Sequence, residues 1–345
     1  MERVTLGNKI NEATETYSQI RKFVEKELAI KIKSIKQIKN GRNSQVFLIE
    51  QDEKKWIIKK YYRHSGDPRN RLETETSFLN YLNKIGLKSV TKPLAVENEA
   101  NLGLFSFLPG KVPGIINKEI MDQVNYFIRG INEFRDEQET KNLPMASDAS
   151  FSIFSHLKLV RTRITKLYGI DNSSPLQKEV LYFVKTSLAE VLEKISADIM
   201  NNFSDNEFKN LLPLKSRILS PSDFGFQNML LQDQKLYFLD FEYAGWDDPA
   251  KLICDFGCHP EIPVEDKYLQ LFKDSFYSWF DEAELVISRS EMLMNLYRLR
   301  WCCIILNIFT AIGKDRLVYA GEIENYERQY LKSKNYYERY LAWLM

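Results

Sequence analysis

Apolar and polar positions change their spacing along the chain. Residues 8–30 repeat apolar side chains every three to four positions, which predicts an amphipathic helix. From Ile35 onward, short apolar runs alternate with polar turns, and this predicts three antiparallel strands. The strands cover 35–38, 45–49 and 56–61. An apolar stripe at helical spacing then predicts a helix over 69–82.

Helical spacing dominates the remainder of the chain. The predicted helices cover 116–137, 151–168, 175–200, 266–280, 290–312 and 319–344. One segment of different character, Arg217 to Pro249, interrupts them, and its short apolar runs lead into polar loops. The pattern therefore predicts an α+β protein in which a small antiparallel sheet precedes a larger, mainly helical part.

Composition and charge exclude several classes of protein. The 345 residues include 44% apolar and 13% aromatic side chains, which is enough for two cores and excludes a disordered chain. A net charge of +1 argues against a protein that binds nucleic acid through its overall positive charge. The longest apolar run, Trp301 to Gly313, is too short to span a bilayer. We therefore expect no nucleic-acid partner and no transmembrane segment.

The cysteines indicate a reducing compartment. The four cysteines lie in apolar, helical sequence, as Cys254 with Cys258 and as the adjacent Cys302 and Cys303. They do not have the cysteine spacing of a disulfide-rich secreted protein. We therefore expect a cytoplasmic protein. Together with His259, the first two cysteines offer an alternative zinc site, but no second cluster has matching spacing.

Candidate chemistry is concentrated between the two groups of helices. Asp223 and Asn228 are five residues apart on one loop, and Asp240 follows the next apolar run about a dozen residues later. A tight hairpin would bring all three into one cleft. Phosphoryl transfer needs such a set, because one carboxylate orients the attacking hydroxyl while an amide and a second carboxylate hold Mg²⁺.

At these residues the chain resembles the aminoglycoside phosphotransferase and choline kinase family. The family pattern is H-G-D-x-x-x-x-N followed by D-x-E/D. Its four polar positions are occupied by Asp223, Asn228, Asp240 and Glu242. Pro221-Ser222 stands in place of His-Gly, and this departure concerns the geometry of the loop more than its chemistry.

The resemblance implies a two-lobed, protein-kinase-like α+β fold. The N-lobe, with a small antiparallel sheet and the nucleotide site, would cover residues 31–108. The larger, mainly helical C-lobe would cover 109–345 and carry the catalytic loop and the substrate pocket. Residues 1–30 would form a helical extension that precedes both lobes.

The implied activity is Mg²⁺-dependent transfer of a phosphoryl group from ATP, or alternatively GTP, to a hydroxyl of a small polar metabolite. Amino alcohols, aminoglycosides and sugars all remain open as acceptors. Asp223 would be the catalytic base, Asn228 and Asp240 would hold the metal, and Glu242 would bind a second metal or a metal-bound water. The alternative is a nucleotide-binding pseudokinase with a regulatory role, which the replacement of His-Gly favours.

The resemblance also identifies candidates for nucleotide binding. Lys59 on the third strand would neutralise phosphate charge, with Lys60 as the alternative on the opposite face. Glu75 on the following helix would pair with this lysine, and Glu73 is the alternative.

Backbone groups complete the implied nucleotide site. Asn43 and Ser44, in the connection between the first two strands, would approach the phosphates. The segment Leu104 to Gly110 is similar to the family's hinge strand, so backbone groups near Phe107 and Leu108 would contact adenine.

Aromatic residues of the C-terminal helices suggest a substrate pocket. In choline kinases the corresponding region forms an aromatic pocket for a quaternary ammonium group, and Tyr297 and Trp301, four apart, are the candidates here. Core packing is the alternative for both. The neighbouring Arg298 and Arg300 favour an anionic acceptor instead.

Overall fold

Five antiparallel strands form the sheet of the first lobe, in the order β1-β2-β3-β5-β4. They are β1 (Ser34–Ile38), β2 (Ser44–Gln51), β3 (Lys54–Tyr61), β4 (Pro93–Glu97) and β5 (Leu102–Ser106). The structure is a computed structural model that describes residues 2–38, 44–64, 67, 69–202, 204–320 and 325–345. Three of these strands match the predicted runs to within a few residues, whereas β4 was not predicted.

Two helices cover opposite faces of this sheet. Helix α1 (Glu2–Leu28) packs Phe23 and Val24 into one apolar cluster with Phe47 and Ile58. Helix α2 (Arg71–Lys84) contributes to the larger core, which continues into the second lobe. Since side chains alternate along a strand, Ile58 and Lys60 face α1 while Lys59 and Tyr61 face α2.

Ten further α-helices among the described residues build the second lobe. They are α3 (Lys118–Asn132), α4 (Ile153–Leu167), α5 (Pro175–Phe183), α6 (Ala189–Asn201), α7 (Asp205–Lys209), α8 (Pro249–Gly257), α9 (Asp266–Ser275), α10 (Ala283–Leu306), α11 (Ala311–Ala320) and α12 (Tyr326–Tyr340). A π-helical turn joins α5 to α6, which explains why their sequence reads as one helix. The predicted α+β architecture, with a small antiparallel sheet and a larger, mainly helical lobe, is therefore confirmed.

Helix α10 is the centre of the second lobe. It packs against α4, α8 and α12. By length and composition, the stretch Ala283–Phe309 could cross a membrane, and it is the one such stretch in the described ranges. Its most apolar window is 67% buried inside the protein, as expected for a core helix of a globular domain.

Four short strands carry the candidate catalytic segment. They are β6 (Ile218–Ser220), β7 (Met229–Gln232), β8 (Lys235–Phe238) and β9 (Gly245–Asp247). β7 pairs with β8 as a hairpin, and β6 pairs with β9 outside it. Because both pairs are antiparallel, the loop from β6 to β7 and the loop from β8 to β9 lie side by side.

Candidate active site

The two adjacent loops hold the polar residues that the sequence singled out. Asp223 and Asn228 lie on the β6–β7 loop, and Asp240 and Glu242 lie on the β8–β9 loop. The backbone N–H of Leu239 donates to the carbonyl of Asn228 at 2.9 Å, which joins the loops directly beside Asp240. The structure therefore brings these four residues into one region.

Lys59 connects this region to the N-lobe. Its Nζ lies 2.7 and 2.9 Å from the two carboxylate oxygens of Glu75 and 2.9 Å from Oδ1 of Asp240. The hydroxyl of Tyr61 donates to Glu75 at 2.6 Å and fixes that carboxylate further. Burial would lower the pKa of Lys59, but Asp240 and Glu75 outweigh it and raise that pKa above its ordinary value. The lysine is therefore a fixed cation at the interface of the lobes.

The two alternatives left open by the sequence lie elsewhere. Nζ of Lys60 donates to the hydroxyl of Thr16 on α1, on the other face of the sheet. Glu73 accepts from the side chain of Asn70 at the exposed beginning of α2. Lys59 and Glu75 are thus the pair that the structure places next to Asp240.

Asp223 is held by two neighbours. Nε2 of His259 lies 3.4 Å from Oδ1 of Asp223, and Nδ2 of Asn228 lies 3.4 Å from its Oδ2. The backbone N–H of Glu261 donates to Nδ1 of His259, so Nε2 is the nitrogen that carries a proton toward Asp223. Burial would raise the pKa of Asp223, but the hydrogen bonds from His259 and Asn228 hold it below its ordinary value. The carboxylate is therefore ionised at neutral pH.

Two residues of these loops adopt a backbone conformation that favours glycine. Ser222 has φ 67° and Asp240 has φ 66°. A left-handed conformation is uncommon outside glycine, although Asp tolerates it better than most residues. The Ser222 hydroxyl donates to the carbonyl of Ser147 at 3.2 Å and accepts from Nζ of Lys251 at 3.2 Å. These contacts stabilise the loop where the resemblance would place a glycine.

Lys251 is the centre of a buried charge cluster behind the loop. Nζ donates to Oδ2 of Asp247 at 2.7 Å, and it lies 2.9 Å from Oδ2 of Asp255 as an ion pair without hydrogen-bond geometry. Asp255 is also paired with Arg300 at 2.5 Å. The side chains of Lys251 and Asp247 are completely buried. Hence the cluster ties β9, α8 and α10 to the β6–β7 loop.

Substituting Lys251 by Met is expected to reduce the free energy of unfolding by about 3–5 kcal/mol, because the buried carboxylate of Asp247 loses its paired cation and that of Asp255 keeps only Arg300. Urea denaturation measures this change. The matched control is Lys267→Met, because Lys267 pairs with Glu265 on the exposed surface, where water screens the two charges and loss of the pair should change stability little. Equal stability losses in the two variants would show that the cluster is not a structural support.

Glu242 and Asn228 retain oxygen atoms suited to a metal ion. Glu242 is buried, and its Oε2 has no hydrogen-bond partner among the described residues. Burial and the charge of Asp240 raise the pKa of Glu242 to about 8. Asn228 donates its amide N–H₂ to the carbonyl of Asp223 at 2.9 Å, which leaves its amide oxygen available. These hard oxygen donors beside Asp240 fit Mg²⁺.

The zinc alternative receives no support from the geometry. Within the part of the chain that the structure describes, no group of three or more His, Cys, Asp or Glu side chains is arranged to hold a metal. All four cysteines are buried and free. Cys254 and Cys258 direct their sulfur atoms toward Ser290 and Met294 of α10. They therefore pack in the core.

Three of the four backbone candidates for nucleotide binding lie within the described residues. Ser44 is buried at the beginning of β2, whereas Asn43 lies outside the described residues. Phe107 and Leu108 follow β5 directly, on the segment that leads from the sheet to the second lobe. Their proposed contact with adenine stays a prediction.

The aromatic substrate residues require a correction. Tyr297 is completely buried, and its hydroxyl is 2.8 Å from Nδ1 of His156, so it offers no ring face to a ligand. Trp301 is 9% exposed and packs edge-on against His259 with ring centroids 4.5 Å apart. Arg298 lies over the ring of Tyr340 on α12. The predicted aromatic pair is therefore core packing, because α10 is surrounded by other helices.

Two residues near the site were not predicted as part of it, Lys251 and His259. No role was assigned to Lys251 from the sequence, and His259 was considered only as an alternative zinc ligand. Lys251 and Asp255 are four residues apart on α8, a spacing that predicts an ion pair on one face of a helix. The spacing does not indicate that the pair is buried. His259 is 36 positions after Asp223 and carries no spacing signal.

Solved structures with this architecture include three kinases of low sequence identity. An AMP-bound spectinomycin phosphotransferase has a TM-score of 0.61 at 16% identity, with 94% of this chain and 95% of that chain covered. An ADP-bound aminoglycoside phosphotransferase has a TM-score of 0.56 at 17% identity, with 92% and 96% covered. A choline kinase from Streptococcus pneumoniae has a TM-score of 0.55 at 15% identity, with 93% and 100% covered.

No family model and no curated protein sequence matches the chain. The structural likeness nevertheless covers nearly all of it. The chain therefore has the fold shared by aminoglycoside phosphotransferases and choline kinases.

Proposed function

We propose that the protein is a Mg²⁺- and ATP-dependent phosphotransferase that phosphorylates a hydroxyl of a small polar metabolite. The observation that carries the proposal is the convergence of Lys59, Glu75 and Asp240 at the junction of the lobes, beside the loop with Asp223 and Asn228. A fold alone does not determine a reaction, but this set of side chains is the one that phosphoryl transfer requires. The nucleotides bound to similar structures support the same proposal.

Each side chain has one role in the proposed reaction. Asp223 orients the acceptor hydroxyl and takes its proton, since its carboxylate is ionised and anchored by His259 and Asn228. Lys59 offsets negative charge on the phosphates, and Glu75 keeps its ammonium group directed into the cleft. No covalent intermediate with the protein is needed, because positioning and charge compensation suffice.

The oxygen atoms of Asn228, Asp240 and Glu242 would hold Mg²⁺. The metal, when bound, would neutralise charge on the β- and γ-phosphates. In the structure Oδ1 of Asp240 lies 2.9 Å from Nζ of Lys59. Glu242 would serve a second metal or a metal-bound water, and Oε2 is the atom available for it.

The direct test is product formation. Purified protein is incubated with Mg·ATP and a panel of hydroxyl-bearing metabolites, and ADP release and phosphorylated product are measured by coupled assay and mass spectrometry. A parallel series with GTP identifies the phosphoryl donor. Nucleotide binding in a thermal-shift assay without any turnover, either with acceptors or by slow hydrolysis, would instead favour the pseudokinase alternative.

Lys59→Met is expected to lower kcat/KM for ATP by about 10²-fold, which corresponds to a loss of about 2.7 kcal/mol of transition-state stabilisation. The reason is that a buried cation next to the phosphates is removed. Initial rates at varied Mg·ATP measure the effect. Lys60→Met is the matched control, because Lys60 is the next residue of the same strand and contacts Thr16 on α1. A similar loss in both variants would contradict the assignment of Lys59.

A further inference from the structure

Helix α11 belongs to the second lobe by its position in the chain, but its second half contacts the first lobe. It follows the end of α10 after the short 3₁₀ turn Asn307–Phe309. A Cβ atom on Gly313 would overlap the carbonyl oxygen of Asn307, so only glycine allows α11 to begin this close to the turn. The backbone N–H of Gly313 also donates to the hydroxyl of Thr310 at 3.2 Å. The beginning of α11 is therefore fixed to the second lobe.

The end of α11 is bonded to the strands of the first lobe through Tyr319. Its hydroxyl donates to the carbonyl of Tyr61 at 3.1 Å and to that of the preceding residue at 3.4 Å. Its own carbonyl accepts from Nε2 of Gln45 on β2 at 2.6 Å. The ring packs edge-on against Tyr62, with ring centroids 5.1 Å apart. Tyr319 thus holds β3 immediately after Lys59.

Arg316 on the same helix is connected to α2 through one carboxylate. Nη2 of Arg316 donates to Oδ2 of Asp67 at 2.6 Å. The same oxygen accepts from Nη2 of Arg71 at 2.6 Å, and Arg69 donates to both oxygens of this carboxylate. Arg71 is the first residue of α2, and Glu75 lies about one helical turn later on the same face. Asp67 therefore joins α11 to the helix that presents Glu75.

The two elements contacted in this way are the ones that carry the lysine–glutamate pair. Lys59 lies on β3 and Glu75 on α2, and Nζ of the lysine is 2.7 Å from the carboxylate. Tyr61 takes part in both sets of contacts, because its carbonyl accepts from Tyr319 while its hydroxyl donates to Glu75 at 2.6 Å. A shift of either element would move the ammonium group. Since catalytic groups must be held to within about 0.5 Å of the productive geometry, such a shift would slow the reaction.

We propose that α11 is a positioning element for the proposed reaction, with Arg316 and Tyr319 as positioning residues that act through Lys59. The second lobe thereby fixes the geometry of the lysine and of Glu75 in the first lobe. The inference rests on the proposed function, because it concerns the same site. No contact with nucleotide or acceptor is assigned to α11, so its effect on the reaction is through geometry alone.

The double substitution Arg316→Met with Tyr319→Phe is expected to lower kcat/KM for ATP about tenfold, less than Lys59→Met does, because the lysine itself is kept. The carboxylate of Asp67 stays paired with two other arginines, and the aromatic ring on α11 is retained. The variant should therefore fold, and thermal unfolding checks this. Initial rates at varied Mg·ATP measure the loss.

The critical measurement repeats the double substitution in a Lys59→Met background. If α11 acts through the lysine, removing its contacts should change kcat/KM by less than about twofold once the lysine is absent. A general loss of structure would instead lower activity by the same factor in both backgrounds. The comparison therefore separates positioning of the lysine from an unspecific structural role.

Two single variants are the matched controls. Lys314→Met removes a cation from the same helix, and Lys314 interacts electrostatically with Asp171 of the second lobe. Tyr326→Phe removes a hydroxyl from a tyrosine whose ring packs against Phe309 of the second lobe, with centroids 5.4 Å apart. Both variants should retain the kcat/KM of the unmodified protein.

Hydrogen–deuterium exchange provides a readout that does not depend on activity. In the double variant, backbone amides of β3 and of the first turns of α2 should exchange about tenfold faster, because local opening becomes easier when the α11 contacts are lost. Amides of α4 in the second lobe should exchange as in the unmodified protein. The control variants should show no change in either region.

The outcomes distinguish this inference from the proposed function. An unchanged kcat/KM for ATP in the double variant would overturn the inference, and so would an equal loss with and without Lys59. Unchanged exchange at β3 and α2 would also overturn it, whether or not the protein is active. Absence of Mg²⁺-dependent ATP turnover by the unmodified protein would overturn the proposed function, and exchange would then decide whether α11 holds β3 and α2.

Discussion

Replacing Asp223 by Asn is expected to slow phosphoryl transfer by about 10²–10⁴-fold, which is the usual contribution of a positioned general base. The amide has the same shape as the carboxylate but cannot take the hydroxyl proton. Because the side chain is oriented by His259 and Asn228, the substitution should leave the loop in place. Single-turnover rates with saturating Mg·ATP and acceptor measure the chemical step directly.

Nucleotide binding provides the control for Asp223→Asn. No role in binding the nucleotide is assigned to Asp223, so Mg·ATP should raise the melting temperature of the variant as much as that of the unmodified protein. At a concentration 100 times the Kd, ligand binding stabilises a protein by about 2.7 kcal/mol, which a thermal-shift assay readily detects. A variant that binds Mg·ATP normally and still turns over at more than a tenth of the original rate would exclude Asp223 as the base.

The sequence predicted the fold well because the decisive signals are local. A short run of strand-forming residues over 56–61 marks a strand, and the two apolar runs around 218–219 and 236–239 define the loops that follow them. Antiparallel pairing of such short runs leaves few ways to arrange the loops. The sequence alone therefore assigns Asp223 and Asp240 to one region.

The choice between Lys59 and Lys60 needed the tertiary structure. Alternation shows only that the two lysines face opposite sides of the strand. The packing of α1 determines which side is the cleft, because its apolar face covers Ile58 and its Thr16 receives Lys60. The pattern of residues within a strand does not show which face of that strand a preceding helix will cover.

The error at Tyr297 has a related cause. An aromatic stripe at four-residue spacing occurs both in pockets and in cores, and the two differ only in what surrounds the helix. Here α4, α8 and α12 enclose α10, so both Tyr297 and Trp301 are buried. The same surroundings bring His259 to Asp223, although 36 residues separate them in sequence. Long-range contacts of this kind leave no periodic signal.

Asp240→Asn is the second substitution with a large expected effect. Asn is chosen over Ala because Asp240 has φ 66°, a conformation that Asn tolerates and that Ala adopts only with strain. The substitution removes the charge that would bind Mg²⁺ and that pairs with Lys59 at 2.9 Å. Metal ions contribute several kcal/mol to such transition states, so turnover should fall by about 10³-fold or more.

Magnesium dependence separates this effect from a loss of structure. In the unmodified protein, Mg²⁺ should increase the thermal shift produced by ATP, and in Asp240→Asn this increase should disappear while ATP alone still binds through Lys59. Asp233→Asn is the matched control, because Asp233 also has a positive φ, of 47°, and lies at the turn of the β7–β8 hairpin. If Asp240→Asn retains both turnover and the magnesium-dependent shift, the metal must be bound by other groups, and the assignment of Asn228 and Glu242 loses its basis with it.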